Sequence, residues 1–307
     1  MSKAVDRHGV MSPIRLAAGS LKVAAAHGQP ITIQVHGESG VGKTMVLDAV
    51  ATECRTEGFS VAELDLQIVD LQTPSGFVAA LLTRLTGGIP QGAIGLNALI
   101  SELGTAIGDH ERPLLITLDS VDHAPGAVQA IDRLIAISTP RVLLVTADLQ
   151  VRRYLADHVT DIRVGVPNFS IEEIYELISK MHDAGQLSGI RGARPLAADL
   201  YRTLHGVPVL VRLALEAEDM GLIEFQKLPA HAQQGVPRRV LSGLQNTYPI
   251  AGKIWEVLSL VSAPMSPDFL GDLIDEPVQA IEKGLAIGAE LGAVRDCGNG
   301  TFRLHDE

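Results

Sequence analysis

One stretch of the chain has the residue types and the spacing needed to hold a polyphosphate. Residues 37–44, GESGVGKT, match the pattern GxxxxGK(S/T). Its glycines let the backbone close around an anion, so that successive amide N–H groups point at the phosphates. The lysine then reaches the β and γ phosphates, and the threonine hydroxyl supplies a ligand for Mg²⁺. The nucleotide-binding residues expected here are Gly37, Glu38, Ser39, Gly40, Val41, Gly42, Lys43, Thr44 and Met45.

A second element of the same chemistry is an aspartate at the end of an apolar run. Residues 113–119, PLLITLD, are too uniformly apolar for a half-exposed strand, and we predict a central strand of a parallel sheet. At its end, Asp119 is expected to hold the Mg²⁺ shell, as in the Walker B arrangement. Ser120 follows, where many ATPases carry an acid, and serine is a poor general base at neutral pH. Hydrolysis is therefore expected to be slow, or to use Asp122 as the base together with the catalytic Lys43.

Other polar residues near these motifs have less specific patterns. Thr146, at the end of RVLLVTAD, suits either a sensor of the γ phosphate or a helix cap. Arg152 and Arg153 fit an exposed helix better than an arginine finger that reaches a neighbouring subunit. His36, just before the glycine loop, is expected to pack against the sheet.

The elements that must position these residues alternate between strand and helix up to residue 167. Such alternation predicts an α/β fold with a parallel sheet and helices on both faces. The loop GESGVGKT has the context that its chemistry needs, because a predicted strand precedes it and a predicted helix begins at its end. The predicted strands are 31–36, 60–67, 113–119, 141–148 and 160–166, and the predicted helices are 44–57, 74–88, 96–107 and 125–137.

Beyond Pro167 the pattern becomes helical. Ser170 and Glu173 have the spacing of a capping box at the start of the first helix. Residues 226–237 have little apolar pattern and are the expected linker. The predicted helices are 170–185, 196–204, 207–221, 250–262, 267–274 and 277–291, and a hairpin turns at residues 298–300. We therefore predict a P-loop nucleotide-binding domain (1–168), a helical lid domain (169–236) and a winged-helix domain (237–307).

Composition limits the classes of protein that remain. The chain has 307 residues, of which 46% are hydrophobic, and a net charge of -11. No apolar run is long enough to span a bilayer and no signal peptide is evident, so a cytoplasmic location without membrane attachment is expected. The two cysteines, Cys54 and Cys297, have no metal-site spacing and are expected to be buried.

These features together resemble the STAND class of AAA+-related P-loop ATPases, which includes NB-ARC proteins and ATPase modules of large bacterial transcription regulators. Gly206, Val207 and Pro208 look like the GxP motif of that class, and LHD at 304–306 looks like its MHD motif. The resemblance implies that Pro208 lies near the base or sugar of the nucleotide, and that His305 contacts the β phosphate of ADP. It also implies ATP or ADP with Mg²⁺, and a homo-oligomer or a protein partner in the ATP state.

Two departures from that class affect what the resemblance implies. The sensor strand runs into Ala147 and Asp148 where an arginine is common, and the sequence stops just after LHD. Because members of the class usually continue into ligand-sensing repeats, the chain is expected to be a fragment, or a short member that relies on a separate partner.

Three functional hypotheses follow. The leading one is a signalling switch that ADP holds closed and ATP releases, with slow hydrolysis. The alternative is a DNA-associated AAA+ ATPase, similar to initiator or transposition ATPases, which also pair a P-loop module with a winged helix. From residue 240 onward the sequence has four basic residues against ten acidic ones, so DNA binding is the less favoured hypothesis. The third is a nucleotide-binding scaffold with negligible turnover, which Ser120 suggests.

Overall fold

The computed structural model describes most of the chain. The described residues are 8–38, 40–66, 73–88, 95–109, 112–121, 124, 127, 130, 131, 133, 142–148, 161–185, 187, 193–223, 236–261, 263–298 and 300–304. They form two compact units. The first contains the described residues of 8–38 and 42–167, and the second contains those of 168–307 together with residues 40 and 41.

The first unit is an α/β structure, as predicted. Its elements, in chain order, are α1 (His8–Ala26), β1 (Ile31–His36), α2 (Lys43–Thr56), β2 (Ser60–Asp65), α3 (Pro74–Thr86), α4 (Leu96–Gly108), β3 (Leu114–Asp119), β4 (Val142–Asp148) and β5 (Ile162–Gly165). The strands form one sheet in the order β2-β3-β4-β1-β5, and every described pair is parallel. The strand that leads into the glycine loop and the strand that ends in Asp119 are therefore separated by β4.

Burial explains how the sheet is covered. Leu114, Ile116 and Leu118 of β3 are fully buried and belong to one apolar cluster with residues of α3 and α4. Side chains of a strand alternate between faces, so Leu115, Thr117 and Asp119 point to the other face. Parallel strands buried on both faces carry continuous apolar runs, which is why the pattern of β3 is unbroken up to its last residue.

The second unit is mostly helical. Its elements are α5 (Ile171–Asp183), α6 (Ala193–Leu204), α7 (Pro208–Asp219), α8 (Val236–Thr247), α9 (Pro249–Leu260), α10 (Pro267–Ile274), α11 (Val278–Glu290), β6 (Val294–Gly298) and β7 (Thr301–Leu304). The two strands form an antiparallel hairpin. The capping box predicted at α5 is confirmed, because Ser170 Oγ accepts from the Glu173 N–H at 3.2 Å and Glu173 Oε2 accepts from the Ser170 N–H at 2.9 Å.

One glycine of the second unit is required by its surroundings. Gly206 has φ +73°, and a Cβ there would lie 2.2 Å from the carbonyl oxygen of Phe169. The Phe169 N–H also donates to the Gly206 oxygen at 2.7 Å. The first residue of the motif that resembles GxP therefore has a packing role in joining the start of α7 to the segment before α5.

The hairpin is attached to the last helices of the second unit. Met265 and Phe302 exchange backbone hydrogen bonds of 2.8 Å in both directions, which adds a short bridge beside β7. A small apolar core lies between α9, α10, α11 and the hairpin, and it includes Ile254, Leu258, Leu270, Ile281, Leu285 and Val294.

The structure differs from the prediction at three places. Neither helix α1 nor helix α8 was predicted. Helix α1 contains Pro13 and buries two alanines and one leucine fully, Ala17, Ala18 and Leu21. Helix α8 buries only Val240 and Leu244 fully among its described side chains. Cys54 is buried as expected, whereas Cys297 is exposed on the hairpin. Within the described part of the chain, no helix is both long and apolar enough to cross a membrane.

Candidate functional site

The glycine loop leads from the end of β1 into the first turn of α2. Gly40 and Gly42 have positive φ angles of 73° and 98°, a region that side-chain-bearing residues rarely adopt. Gly42 is also the N-cap of α2, so no side chain occupies the first amides of this helix. Lys43, Thr44 and Met45 form the first turn of α2 and are all partly exposed. This backbone has the form expected for a loop that binds an anion through its N–H groups.

Lys43 reaches back over the loop. Its ammonium group donates to the carbonyl oxygen of Gly37 at 3.1 Å and to that of Glu38 at 2.9 Å. Both acceptors are backbone atoms of the same loop, so the positive charge is held beside the residues that the sequence motif assigns to phosphate binding. Glu38 is exposed and Gly37 is partly exposed, so this side of the loop is open to solvent.

Thr44 and Asp119 meet, although 75 positions separate them. The Thr44 hydroxyl donates to Asp119 Oδ2 at 2.6 Å. This contact is possible because Asp119 points to the sheet face opposite α3 and α4, where the first turn of α2 lies. A hydroxyl and a carboxylate are the hard oxygen ligands that Mg²⁺ prefers. The two residues that the sequence assigned to the metal are therefore within hydrogen-bonding distance, and this donor set fits Mg²⁺.

Ser120 continues the chain from Asp119 in an unusual conformation. It has φ +57°, which is uncommon for a residue other than glycine, and its N–H donates to Asp119 Oδ1 at 2.9 Å. Each carboxylate oxygen of Asp119 thus accepts a hydrogen bond, one from Thr44 and one from Ser120. The left-handed turn orients this carboxylate and, at the same time, places a serine beside it.

A second acid, which the sequence motifs did not single out, lies at the same sheet edge. Asp65 ends β2 and is paired in register with Asp119 on the neighbouring strand. The residues before each aspartate, Leu64 and Leu118, belong to one buried cluster, so both aspartates share the opposite face. The signal was present, because residues 60–67 and 113–119 were both predicted as strands and each contains an aspartate at its carboxyl end.

Several predicted site residues have a different status. Pro208 is the first residue of α7, and within the second unit the N–H of the next residue, Val209, donates to the Gly40 oxygen at 3.3 Å. His36 packs on its register partner Gly165, since a Cβ added to that glycine would lie 3.3 Å from the imidazole Cε1. Only the backbone of Thr146 is described, as part of β4. The remaining predicted residues, Ser39, Asp122, Arg152, Arg153 and His305, lie outside the described residues.

Burial raises the pKa of one acidic side chain of the second unit. Glu216 of α7 lies mostly buried, and desolvation raises the pKa of its carboxyl group, while Arg212 lowers it and Glu290 raises it further. The Arg212 Nε donates to Glu216 Oε1 at 2.6 Å. Because the pKa is raised overall, burial outweighs the ion pair at this position.

Comparison with known proteins identifies relatives in fold. No protein-family profile and no curated sequence matches the chain. Among solved structures, the chain is similar to the Aeropyrum pernix Orc1 protein in complex with DNA, at 15% identity over 97% of this chain and 89% of that one, with a TM-score of 0.54. It is similar to Cdc6p from Pyrobaculum aerophilum, at 13% identity over 100% and 92%, with a TM-score of 0.56.

A third structure extends the comparison. Drosophila ORC bound to DNA matches at 11% identity over 100% of this chain and 91% of that chain, with a TM-score of 0.51. These likenesses do not support the STAND class that the sequence resembles. At such low identity they establish the fold alone. The chain shares the fold of these Orc1, Cdc6 and ORC structures.

Proposed function

We propose that the chain binds ATP and ADP with Mg²⁺ at the glycine loop and hydrolyses ATP slowly. The observation that carries this proposal is the 2.6 Å contact between Thr44 Oγ1 and Asp119 Oδ2, which joins the two motifs expected to share one metal ion. Magnesium supplies charge neutralisation of the phosphates when it is bound. Thr44 and Asp119 hold and orient it, and the loop amides with Lys43 hold the phosphates.

Binding would exchange one set of partners of Lys43 for another. The ammonium now rests on two carbonyl oxygens of its own loop, at 3.1 and 2.9 Å. Phosphate oxygens carry full negative charge and are stronger acceptors for an ammonium than neutral carbonyls are. We therefore expect Lys43 to turn from Gly37 and Glu38 towards the phosphates.

The residue that activates water is proposed from the sheet edge. Ser120 is unsuited to this role, because its hydroxyl does not become a base at neutral pH. Asp65 supplies a carboxylate on the adjacent strand, in register with Asp119 and on the same face. Asp122, the base expected from the sequence, stays a second candidate. The variants Asp65→Asn and Asp122→Asn distinguish the two candidates. Only replacement of the acting base should lower the rate of phosphate release while leaving the nucleotide affinity within about threefold of the wild type.

We propose further that this ATPase acts together with DNA. This was the less favoured hypothesis on charge alone, and the fold comparisons favour it instead, because two of the three similar structures described above are of proteins bound to DNA. The order of α9, α10, α11 and the β6–β7 hairpin supports a winged helix at the end of the chain. The preceding helices α5, α6 and α7 would then form the helical lid.

The signalling switch stays a second candidate because one observation favours it. The sequence from residue 240 onward is strongly acidic, which disfavours contacts with phosphates and favours a protein partner. Under this hypothesis Pro208 and His305 would report on the bound nucleotide, and ATP would permit assembly with further copies or with a partner.

Binding of duplex DNA by the full chain distinguishes the two candidates. Fluorescence anisotropy with a labelled duplex is measured in ATP, in ADP and without nucleotide, at about 50 mM salt, where electrostatic contacts are strong. If the chain is a DNA-associated ATPase, its affinity for the duplex should depend on the nucleotide. That dependence should be lost in the Lys43→Ala variant. No binding in any state, together with ATP-dependent self-assembly in sedimentation, would establish the switch instead. Calorimetry with ATP and ADP tests nucleotide binding itself.

A further inference from the structure

Helix α10 (Pro267–Ile274) presents an apolar row to solvent. Phe269 and Leu273 have 54% and 55% of their surface exposed. They are four residues apart, so their side chains are neighbours on one side of the helix. Single exposed apolar residues are ordinary on protein surfaces, whereas two adjacent ones on an eight-residue helix form a small continuous surface.

The orientation of this helix is fixed by its other side. Leu270 is fully buried in the core beneath α9 and α11, and Ile274 packs against the same core. Ser266 Oγ accepts from the Phe269 N–H at 3.2 Å and caps the first turn. A Cβ on Gly271 would lie 3.0 Å from the Glu276 carbonyl oxygen, so the helix also lies tightly against the segment that follows it. Phe269 and Leu273 therefore cannot turn inward without displacing Leu270.

An acidic row runs beside the apolar row. Asp268 and Asp272 are exposed and precede Phe269 and Leu273 by one position each, so the two rows lie side by side along the helix. Asp275, which ends the helix, is also exposed. From residue 254 to residue 282 the sequence contains no lysine or arginine. The surface therefore combines a small apolar strip with an edge of one charge sign.

We propose that this surface of α10 docks a protein helix that has a small apolar face edged by lysine or arginine. Amphipathic helices bind through apolar residues at the same three- and four-residue spacing that Phe269 and Leu273 have. Complementary charge along one edge then fixes the direction of the partner and accelerates its association. We name this surface, formed by Asp268, Phe269, Asp272 and Leu273, the α10 surface.

Its charge argues against the other classes of occupant. A duplex and an anionic bilayer are both negative, and each would meet Asp268 and Asp272 with like charge. A second copy of this chain has a net charge of -11, which also opposes close approach. The α10 surface does not include any residue of the nucleotide site, so its test is independent of the proposed ATPase.

The test uses the full chain and three synthetic helical peptides. One peptide carries leucine on one face and lysine along its edge, the second replaces each lysine with glutamate, and the third contains the first composition in a scrambled order. Binding to each labelled peptide is measured by fluorescence anisotropy. The apolar variant is Phe269→Ser with Leu273→Ser, and the charge variant is Asp268→Asn with Asp272→Asn. The control is Leu16→Ser, which removes an apolar side chain of 51% exposure from α1.

We expect the lysine peptide to bind, and its affinity to fall at least about tenfold in the apolar variant, because buried apolar anchors dominate such contacts. In the charge variant it should fall severalfold and lose most of its dependence on salt. The control should bind as the wild type does. Circular dichroism and thermal unfolding confirm that each variant is folded.

Several outcomes would overturn the proposal. Equal binding of the lysine and glutamate peptides would show that the charge of the partner does not matter. Equal binding of the lysine and scrambled peptides would show that its amphipathic order does not matter. Unchanged binding of the lysine peptide by both variants would place its site elsewhere. A dimer in sedimentation that the apolar variant abolishes would assign the surface to a second copy, and loss of duplex binding in that variant would assign it to DNA.

Discussion

Replacing Lys43 by alanine should weaken nucleotide binding far more than it weakens the fold. Hydrogen bonds that involve a charged group contribute about 1.5–3 kcal/mol. Since about 1.4 kcal/mol corresponds to a factor of ten, the dissociation constant for ATP should rise roughly 10- to 150-fold. The ammonium would leave two carbonyl oxygens without their donor, those of Gly37 and Glu38. Both residues are at least partly exposed, so water replaces the donor and the free energy of unfolding should fall by less than about 1 kcal/mol.

Isothermal titration calorimetry with Mg²⁺ and ATP measures the first quantity, and urea unfolding measures the second. Lys22→Ala is the matched control, because Lys22 is a lysine of the same unit that pairs with Glu53 of α2 and with Glu57 just after that helix, and it has no part in the loop. The dissociation constant of the Lys22→Ala variant for ATP should stay within about twofold of the wild-type value. Equal effects of the two variants on affinity would refute the assignment of Lys43 to the phosphates, because the loss would then follow from net charge alone.

Three further predictions concern the scaffold. Gly206→Ala should lower the free energy of unfolding by roughly 2–4 kcal/mol, because it adds left-handed strain and a steric clash with the backbone. The control is Gly221→Ala, which has φ +69° but open space around it and should lower the free energy of unfolding by about 1 kcal/mol. Chemical unfolding measures both values. Ellman's reagent at pH 8 should titrate Cys297 in the native protein and Cys54 only after denaturation, because burial raises the pKa of the Cys54 thiol to about 11. Because burial raises the pKa of Glu216, the folded protein binds its proton more tightly, and the contribution of Glu216 to stability should fall as pH rises from about 4.5 upward. Relative to the wild type, Glu216→Gln should therefore gain stability with rising pH, and a constant difference in unfolding free energy across pH 4–8 would refute this.

The glycine loop and the parallel sheet were predictable because their signals are local. Three glycines, a lysine and a threonine at fixed spacing permit few other conformations between a strand and a helix, and the structure has the expected positive φ angles at Gly40 and Gly42. The β3 strand was equally clear, because a parallel strand buried on both faces is apolar at every position. Its last residue, Asp119, could therefore be placed at the carboxyl edge of the sheet from the sequence alone.

The role of Asp65 and the helix α1 were not predictable in the same way. Asp65 became relevant only once the order β2-β3 and its register with Asp119 were known, and strand order is a long-range property that no local pattern contains. Helix α1 is rich in alanine and contains Pro13, so its apolar period is weak, although Ala17, Ala18 and Leu21 are fully buried. No helix was predicted there, because small side chains pack closely without producing a strong hydrophobic pattern.

The salt dependence of DNA binding should decide how the second unit takes part in it. In the winged-helix interpretation, α11 would be the helix placed to enter a groove, and its exposed charged residues are Glu282, Lys283 and Glu290. One lysine between two glutamates makes few favourable phosphate contacts, so the logarithm of the binding constant should fall with the logarithm of salt concentration with a slope of only about -1 to -3 if α11 leads the contact. Lys283→Ala should then reduce the magnitude of that slope by about 1. A steep slope that this variant leaves unchanged would mean that basic residues elsewhere in the chain contact the DNA phosphates. The acidic end of the chain, including the α10 surface, would then be assigned to protein contacts.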